Sequence, residues 1–248
     1  MLIIKPYIFK QFPEIICGVS TKIGNSVQNP FYFNLSLSVG DDSAVVLQNR
    51  KYFFSEIGLD YQKAAYQKQI HSDEIVITNR AGIFENNDAL ITNQQNLPLV
   101  VTIADCLPIM IYDPKEKVIA AVHSGWRGTS KRILDKVIKT LQDKFNSKSW
   151  NLFVYLGPSI TQANYEVGTE VKELFDQKYL LRTGSKYFLN IVQANLDMLY
   201  QNGVKKNQIQ ISGLCTYEMK NVLYSSRRDG EKSGRALAVI SMKDKNVG

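Results

Sequence analysis

Residues 117–128 read Lys-Val-Ile-Ala-Ala-Val-His-Ser-Gly-Trp-Arg-Gly, and this stretch decides the class of fold. Val118 to Val122 form an unbroken apolar run, the pattern of a strand buried on both faces. The run ends at His123 and passes through a glycine-containing turn, Ser124–Gly128, into an amphipathic segment. There Ile133, Leu134, Val137, Ile138, Leu141 and Phe145 recur at helical spacing, which predicts a helix from about Thr129 to Phe145, with Thr129 or Ser130 as its cap. Strands of the same buried type are expected at Leu97–Ala104, Ile109–Tyr112 and Leu152–Leu156. Glu14–Ser20, Glu74–Thr78, Ile209–Ser212 and Arg235–Met242 add four more. Helices are expected from Asp42 or Ser43 to Ile57, over Thr169–Gln177 and over Ile191–Gln201, with residues 21–42 as a long loop. Strands and helices mix without strict alternation. The expected fold is therefore α+β, with mixed β-sheet layers flanked by helices, rather than doubly wound.

Composition agrees with an ordinary folded protein. The chain has 248 residues, 44% hydrophobic and 21% charged, which excludes disorder, collagen and coiled coil as the main architecture. No linker, low-complexity tract or internal repeat divides it, so residues 1–248 are read as one domain. No apolar run approaches the roughly 20 residues of a membrane span, and the N-terminus lacks the apolar length of a signal peptide. The net charge of +7 comes from scattered basic residues; it favours anionic ligands but matches no nucleic-acid motif. Three widely spaced cysteines, Cys17, Cys106 and Cys215, form no disulfide framework. A reducing, cytoplasmic setting is expected.

The chain has only two histidines, His71 and His123. Both, and Cys106, fall beside predicted strand ends, where a rigid scaffold presents reactive groups. Two imidazoles and a thiolate make a three-ligand set for a borderline-soft metal, leaving a fourth position open as in catalytic zinc sites. The same residues also read as a cysteine nucleophile with a histidine base, Cys106 with His123, or as a buried cysteine and two structural histidines. The turn Ser124–Gly128 offers free backbone N–H groups at a helix start, and Arg127 adds a bidentate donor for phosphate. Asp105 stands beside Cys106 as an electrostatic or positioning group.

Several segments together resemble the YfiH-like family, whose members are also called multicopper polyphenol oxidases (laccases) and are described as purine nucleoside phosphorylases. They are Gln69-Ile70-His71-Ser72, Asp88-Ala89, Ala104-Asp105-Cys106-Leu107-Pro108-Ile109, Ala121–Gly128, Leu156-Gly157-Pro158, Tyr165–Gly168, Leu214-Cys215-Thr216, Ser226–Gly230 and Ser233-Gly234-Arg235. The resemblance implies a single α+β domain with a zinc site held by His71, Cys106 and His123, which would also be its catalytic residues. It implies phosphorolysis of adenosine, inosine and S-methyl-5′-thioadenosine, with adenosine deamination as a side activity. Its partners would be purine nucleosides and phosphate, without nucleic acid or membrane; the sequence leaves the oligomeric state, monomer or weak homodimer, open. Two alternatives stand beside this: a cysteine or zinc hydrolase or amidase editing peptidoglycan precursors, and a polyphenol oxidase with a single copper. A multicopper centre fails on counting, because a blue-copper site alone takes both histidines and the cysteine. Deamination fits less well than phosphorolysis, since the H-x-E…P-C-x-x-C signature is absent and only Asp73 and Glu74 follow His71. One departure is Lys22, where the family has an arginine in a Ser-Thr-Arg segment. Lysine keeps the charge but loses the bidentate fork, so Lys22 is expected to hold phosphate more weakly. Asn34 and Arg50 also fit family positions.

Overall fold

The structure is a computed structural model describing residues 1–244. In chain order it begins with β1 (Ile3–Ile4), β2 (Ile15–Ser20), α1 (Ser43–Glu56), β3 (Ala65–Lys68), β4 (Ile75–Ile77), β5 (Gly82–Glu85) and β6 (Ala89–Thr92). The middle of the chain holds β7 (Leu99–Ile103), β8 (Leu107–Asp113), β9 (Val118–Ser124), α2 (Trp126–Ser130), α3 (Ile133–Phe145) and β10 (Phe153–Leu156). The remainder holds β11 (Glu166–Val167), α4 (Thr169–Lys172), β12 (Leu180–Thr183), β13 (Lys186–Leu189), α5 (Ile191–Gln201), β14 (Ile209–Ile211), α6 (Ser226–Asp229) and β15 (Ala236–Met242). One sheet runs β1-β2-β15-β7-β3-β5 and a second runs β14-β10-β8-β9-β6-β4, while β11-β13-β12 form a small third sheet. Both large sheets mix parallel with antiparallel pairs, as in β3 with β7 and β8 with β9. The expected α+β class with mixed sheets is what the chain forms.

Period-two alternation explains the layering. Met110 and Tyr112 of β8, and Ile119 and Ala121 of β9, join Val19, Leu99, Val101, Ala238 and Ile240 in a core between the two sheets. The alternate residues Ile109, Ile111, Val118, Ala120 and Val122 pack on Ile133, Leu134, Val137, Ile138 and Leu141 of α3 and on Leu199 of α5. On the far side, Phe53 and Phe54 of α1 cover Val100, Leu237 and Val239. The order is helix, sheet, sheet, helices. Ile138 is fully buried in the outer core. Ile138→Ala is expected to lower the denaturant midpoint at constant slope, by about 2–5 kcal/mol of stability.

Two helices depart from expectation. The helix expected from about Thr129 is two helices. Gly125, not Thr129 or Ser130, caps the first, and Arg132 in a left-handed conformation (φ 60°) starts the second. Thr129 is instead a buried hydrogen-bond partner of Ser124 and Asn195, so its hydroxyl serves packing between helices rather than capping. The helix expected over Thr169–Gln177 is α-helical only to Lys172 and continues in tighter turns, Leu174 N–H to Val171 and Phe175 N–H to Lys172. These turns put Val171, Phe175 and Tyr179 into a small core with Tyr165 and Leu189. The strands β1, β3, β5, β6 and the pair β12–β13 carry too short or too polar a pattern to stand out.

Candidate metal centre

Three chain segments cross from one large sheet to the other at the same end: β3 to β4, β5 to β6 and β7 to β8. The first carries His71 and the third carries Cys106. His123 follows Ile119 and Ala121 on the inward face of β9, so the same alternation aims it into the end of the space between the sheets. The ligand atoms of His71, Cys106 and His123 all lie within 4.8 Å of one another. The spacing of 35 and 17 residues between them is bridged by topology, not by local sequence.

Each crossover is held in an uncommon backbone conformation. His71 has φ 58° and Asp105 has φ 93°, both in the region that non-glycine residues rarely adopt. Such strain is retained only where surrounding bonds over-determine it. At Asp105 the carboxylate accepts from the Thr216 hydroxyl and from the Arg227 backbone N–H, each at 2.7 Å, while its carbonyl accepts from Ile160. Asp105 thus pins the turn that presents Cys106. Where β3 leaves β7, the Gln69 side-chain amide donates to the Thr102 carbonyl and accepts from its N–H, continuing the ladder for one more step. Residues 70–74 are then free to cross to the second sheet.

The turn after β9 closes the site. The Ser124 hydroxyl donates to Asn195 of α5, whose amide donates to Thr129, tying the turn to the helix layer. A Cβ on Gly125 would lie 2.8 Å from His71 Nδ1 and 3.1 Å from Cys106 Sγ, and one on Gly128 would lie 2.8 Å from the Ser72 carbonyl. Both positions need glycine for close approach. Gly125 completes a cradle around the ligand atoms, and two nitrogens with one sulfur suit zinc or copper(I) better than a hard cation. The residues therefore fit a metal ion with one open side.

Electrostatics prepare the same atoms. Burial opposes ionisation of the Cys106 thiol, but the charge and hydrogen bond of His123 and the hydrogen bond from His71 outweigh it and hold the thiol well below its usual range. Burial likewise opposes charge on His123, yet Cys106 and Asp88 raise it above an ordinary imidazole. Asp88 is the acidic end of this chain, its Oδ1 2.7 Å from His123 Nδ1. In metal-stripped protein the thiolate form of Cys106 is then retained as pH falls through neutrality. Between pH 9 and 7 its alkylation by iodoacetamide is expected to slow less than twofold, where an ordinary thiol of pKa about 8.5 slows about 25-fold. Cys17 and Cys215 are buried and serve as internal controls.

The cluster opens onto a cavity of about 1190 Å³. Arg50, Arg127, Arg227 and Arg235 line it, as do Asp105 and the apolar side chains of Ile160, Tyr165 and Val171. Arg127 stacks on Trp126, 4.1 Å from ring centre to guanidinium carbon. Arg50 donates to the Leu35 carbonyl, Arg227 to that of Glu166, and Arg235 to those of Ser233 and Gly234. Among the described residues, no carboxylate forms an ion pair with any of these four arginines. Lys22 does not line the cavity. Its ammonium lies 4.4 Å from the Tyr32 ring centre and donates to the Lys220 carbonyl, so the structure does not bring it to the cluster. Asp88, Arg50, Arg227 and Arg235 are the site residues to which sequence reasoning gave no role. For Asp88, Arg227 and Arg235 the signal lay in the short segments Asp88-Ala89, Ser226–Gly230 and Ser233-Gly234-Arg235, and for Arg50 in its family position, but nothing local says that they meet.

A double sheet flanked by helices, with a His–Cys–His cluster opening onto an arginine-lined cavity, defines the class of site: a candidate metal centre. Residues 16–243 match the family described as multi-copper polyphenol oxidoreductase laccase, and the chain belongs to it. Among similar proteins, purine nucleoside phosphorylase YlmD of Bacillus subtilis is 32% identical over 93% of this chain and 90% of its own length. Purine nucleoside phosphorylase YfiH of Shigella flexneri is 32% identical over 89% of this chain and 91% of its own. The crystal structure of the Bacillus licheniformis hypothetical protein YfiH superposes with a TM-score of 0.92 at 27% identity, covering 97% of this chain and 96% of that one. The "multi-copper" part of the family description does not extend to this chain, because both of its histidines already sit in the one cluster.

Proposed function

We propose that the chain is a zinc-dependent purine nucleoside phosphorylase. It would cleave adenosine, inosine and S-methyl-5′-thioadenosine with phosphate to the base and ribose or methylthioribose 1-phosphate. The observation that carries this reading is the set of four guanidiniums lining the cavity of the His71–Cys106–His123 cluster, none of them in an ion pair among the described residues. Arginines that form no ion pair, gathered in one cavity, are suited to a polyanionic co-substrate. The relatives named purine nucleoside phosphorylases support the same assignment.

His71, Cys106 and His123 would hold zinc, Cys106 as the thiolate that its surroundings favour and His123 with its Nδ1 proton on Asp88. Bound zinc supplies Lewis-acid polarisation of a substrate oxygen. Arg127, with Arg227 and Arg235, binds and orients phosphate. Phosphate oxygen forms a bond to C1′ as the bond from C1′ to the purine nitrogen breaks, and the base leaves with the electron pair. Ile160, Tyr165 and Val171 provide apolar wall that limits hydrolysis by water. Asp105 acts as a positioning residue, since Thr216 and Arg227 occupy both of its oxygens. Asp73 and Glu74 do not line the cavity, and Asp73 is paired with Lys131 and Lys136, so adenosine deamination is the minor activity in this reading. Among the described residues no helix is long and apolar enough to cross a membrane. Three free cysteines support a cytoplasmic location.

The Asp88–His123–Cys106 chain favours one second reading, a thiol hydrolase with Cys106 as nucleophile and His123 as base. Chelation separates the two. Inosine phosphorolysis should vanish on dialysis against a strong chelator and return with stoichiometric zinc. Activity that survives chelation and dies on alkylation of Cys106 would establish the thiol reading instead.

A further inference from the structure

The crossover from β5 to β6, residues 86–88, carries no metal ligand, yet it ends on the most heavily bonded carboxylate in the site. Asp88 is completely buried. Its Oδ1 accepts from His123 Nδ1 at 2.7 Å and from the His71 backbone N–H at 3.1 Å. Its Oδ2 accepts from the Ser72 N–H at 2.5 Å, the Ser72 hydroxyl at 2.6 Å and the Ile70 N–H at 3.3 Å. Five donors converge on a group with about four lone-pair sites, so its acceptor capacity is full. Its backbone is fixed from both sides, with Asp88 N–H donating to the Glu74 carbonyl and His123 N–H to the Asp88 carbonyl.

These bonds do two separate things. The bond to Nδ1 requires the His123 proton on that nitrogen and leaves Nε2 with its lone pair for a ligand. The three N–H bonds gather residues 70–72 around one anion and hold His71 in its left-handed conformation, which sets where its ring points. We infer that Asp88 is the positioning residue for both histidines at once, so that one carboxylate on the non-ligand crossover sets the metal affinity of the cluster. The inference rests on the metal reading given under Proposed function and names the residue that makes that site competent.

The discriminating substitution is Asp88→Asn. An amide keeps the size but has one acceptor oxygen in place of two. If its NH₂ faces His123, that ring must accept at Nδ1 and carry its proton on Nε2, where the lone pair is needed. If the NH₂ faces Ser72, it meets two N–H groups and a hydroxyl, and the loop bearing His71 loses its anchor. Either orientation removes one ligand from register.

Zinc dissociation constants should be measured on purified wild type and Asp88→Asn by competition with a chromophoric chelator. Circular dichroism reports folding. Nitrogen-15 NMR of the imidazoles reports the tautomer, which is readable because the chain has two histidines. Wild type should bind one zinc per chain with His123 protonated at Nδ1. Asp88→Asn should bind zinc about 10–100-fold more weakly and lose that tautomer or shift the His71 signals. Affinity within twofold of wild type, with both histidine spectra unchanged, would overturn the inference while leaving the metal reading intact. A wild type that binds no zinc would instead overturn the metal reading and this inference with it. Should Asp88→Asn fail to fold, Ser72→Ala decides: loss of one donor to Asp88 should weaken zinc binding about threefold at an unchanged fold, and unchanged affinity would refute the role.

Discussion

His123→Ala is expected to abolish metal binding and phosphorolysis together. His123 is buried, and it is the member of the cluster fixed by the fold rather than by a loop, because β9 lies between β6 and β8. Its replacement removes one of three ligands and the cation that draws the Cys106 thiol toward its ionised form. The loss in rate should exceed the 10–100-fold cost typical of removing an outer-shell partner of a metal. Asp88 keeps its four donors from residues 70–72, so the chain should still fold. Metal content by mass spectrometry and base release from inosine check the two effects on one preparation. Full activity in a zinc-free variant would remove the metal from the mechanism.

Gly125→Ala should have nearly as large an effect with a smaller change in sequence. The backbone at Gly125 (φ −79°, ψ 175°) suits any residue, so no conformational argument requires glycine there. Space does. The new methyl would stand 2.8 Å from His71 Nδ1 and 3.1 Å from Cys106 Sγ, inside contact distance of two ligand atoms. The His71 loop is the softer partner and must move, carrying a ligand out of place. The expected result is a folded protein, destabilised by about 1–3 kcal/mol, with zinc affinity reduced at least about tenfold. Thermal melting and chelator competition measure the two quantities. Unchanged affinity would mean that the ligand atoms do not converge beside this turn.

These expectations show where the sequence was readable. The apolar run Val118–Val122 identified a buried strand, and the spacing from Ile133 to Phe145 identified a helical face, because both patterns follow directly from period-two and period-3.6 burial. The same patterns could not show that β3 to β4, β5 to β6 and β7 to β8 all cross between sheets at one end. That convergence is a property of strand order, set by long-range pairing such as Ala236 to Ile103 and Ala89 to Val122. The scarcity of histidine singled out His71 and His123, with Cys106, before geometry brought the three together. Asp88 stayed hidden because a buried carboxylate and a solvated one look alike in sequence. Lys22, expected to hold phosphate from its place at the Ser-Thr-Arg position of the resembled family, has its ammonium against Tyr32 and Tyr224 and does not line the cavity. The helix expected from Thr129 broke into two because Arg132 turns left-handed, a local conformation that propensity does not foresee.

The central claim is phosphate-dependent cleavage of a purine nucleoside at this cluster. The most direct measurement incubates zinc-quantified protein with adenosine, with and without inorganic phosphate, and separates the products. The account predicts adenine and ribose 1-phosphate in equal amounts, formed only when phosphate is present. Inosine as the sole product, or no turnover by protein carrying one zinc per chain, would contradict it.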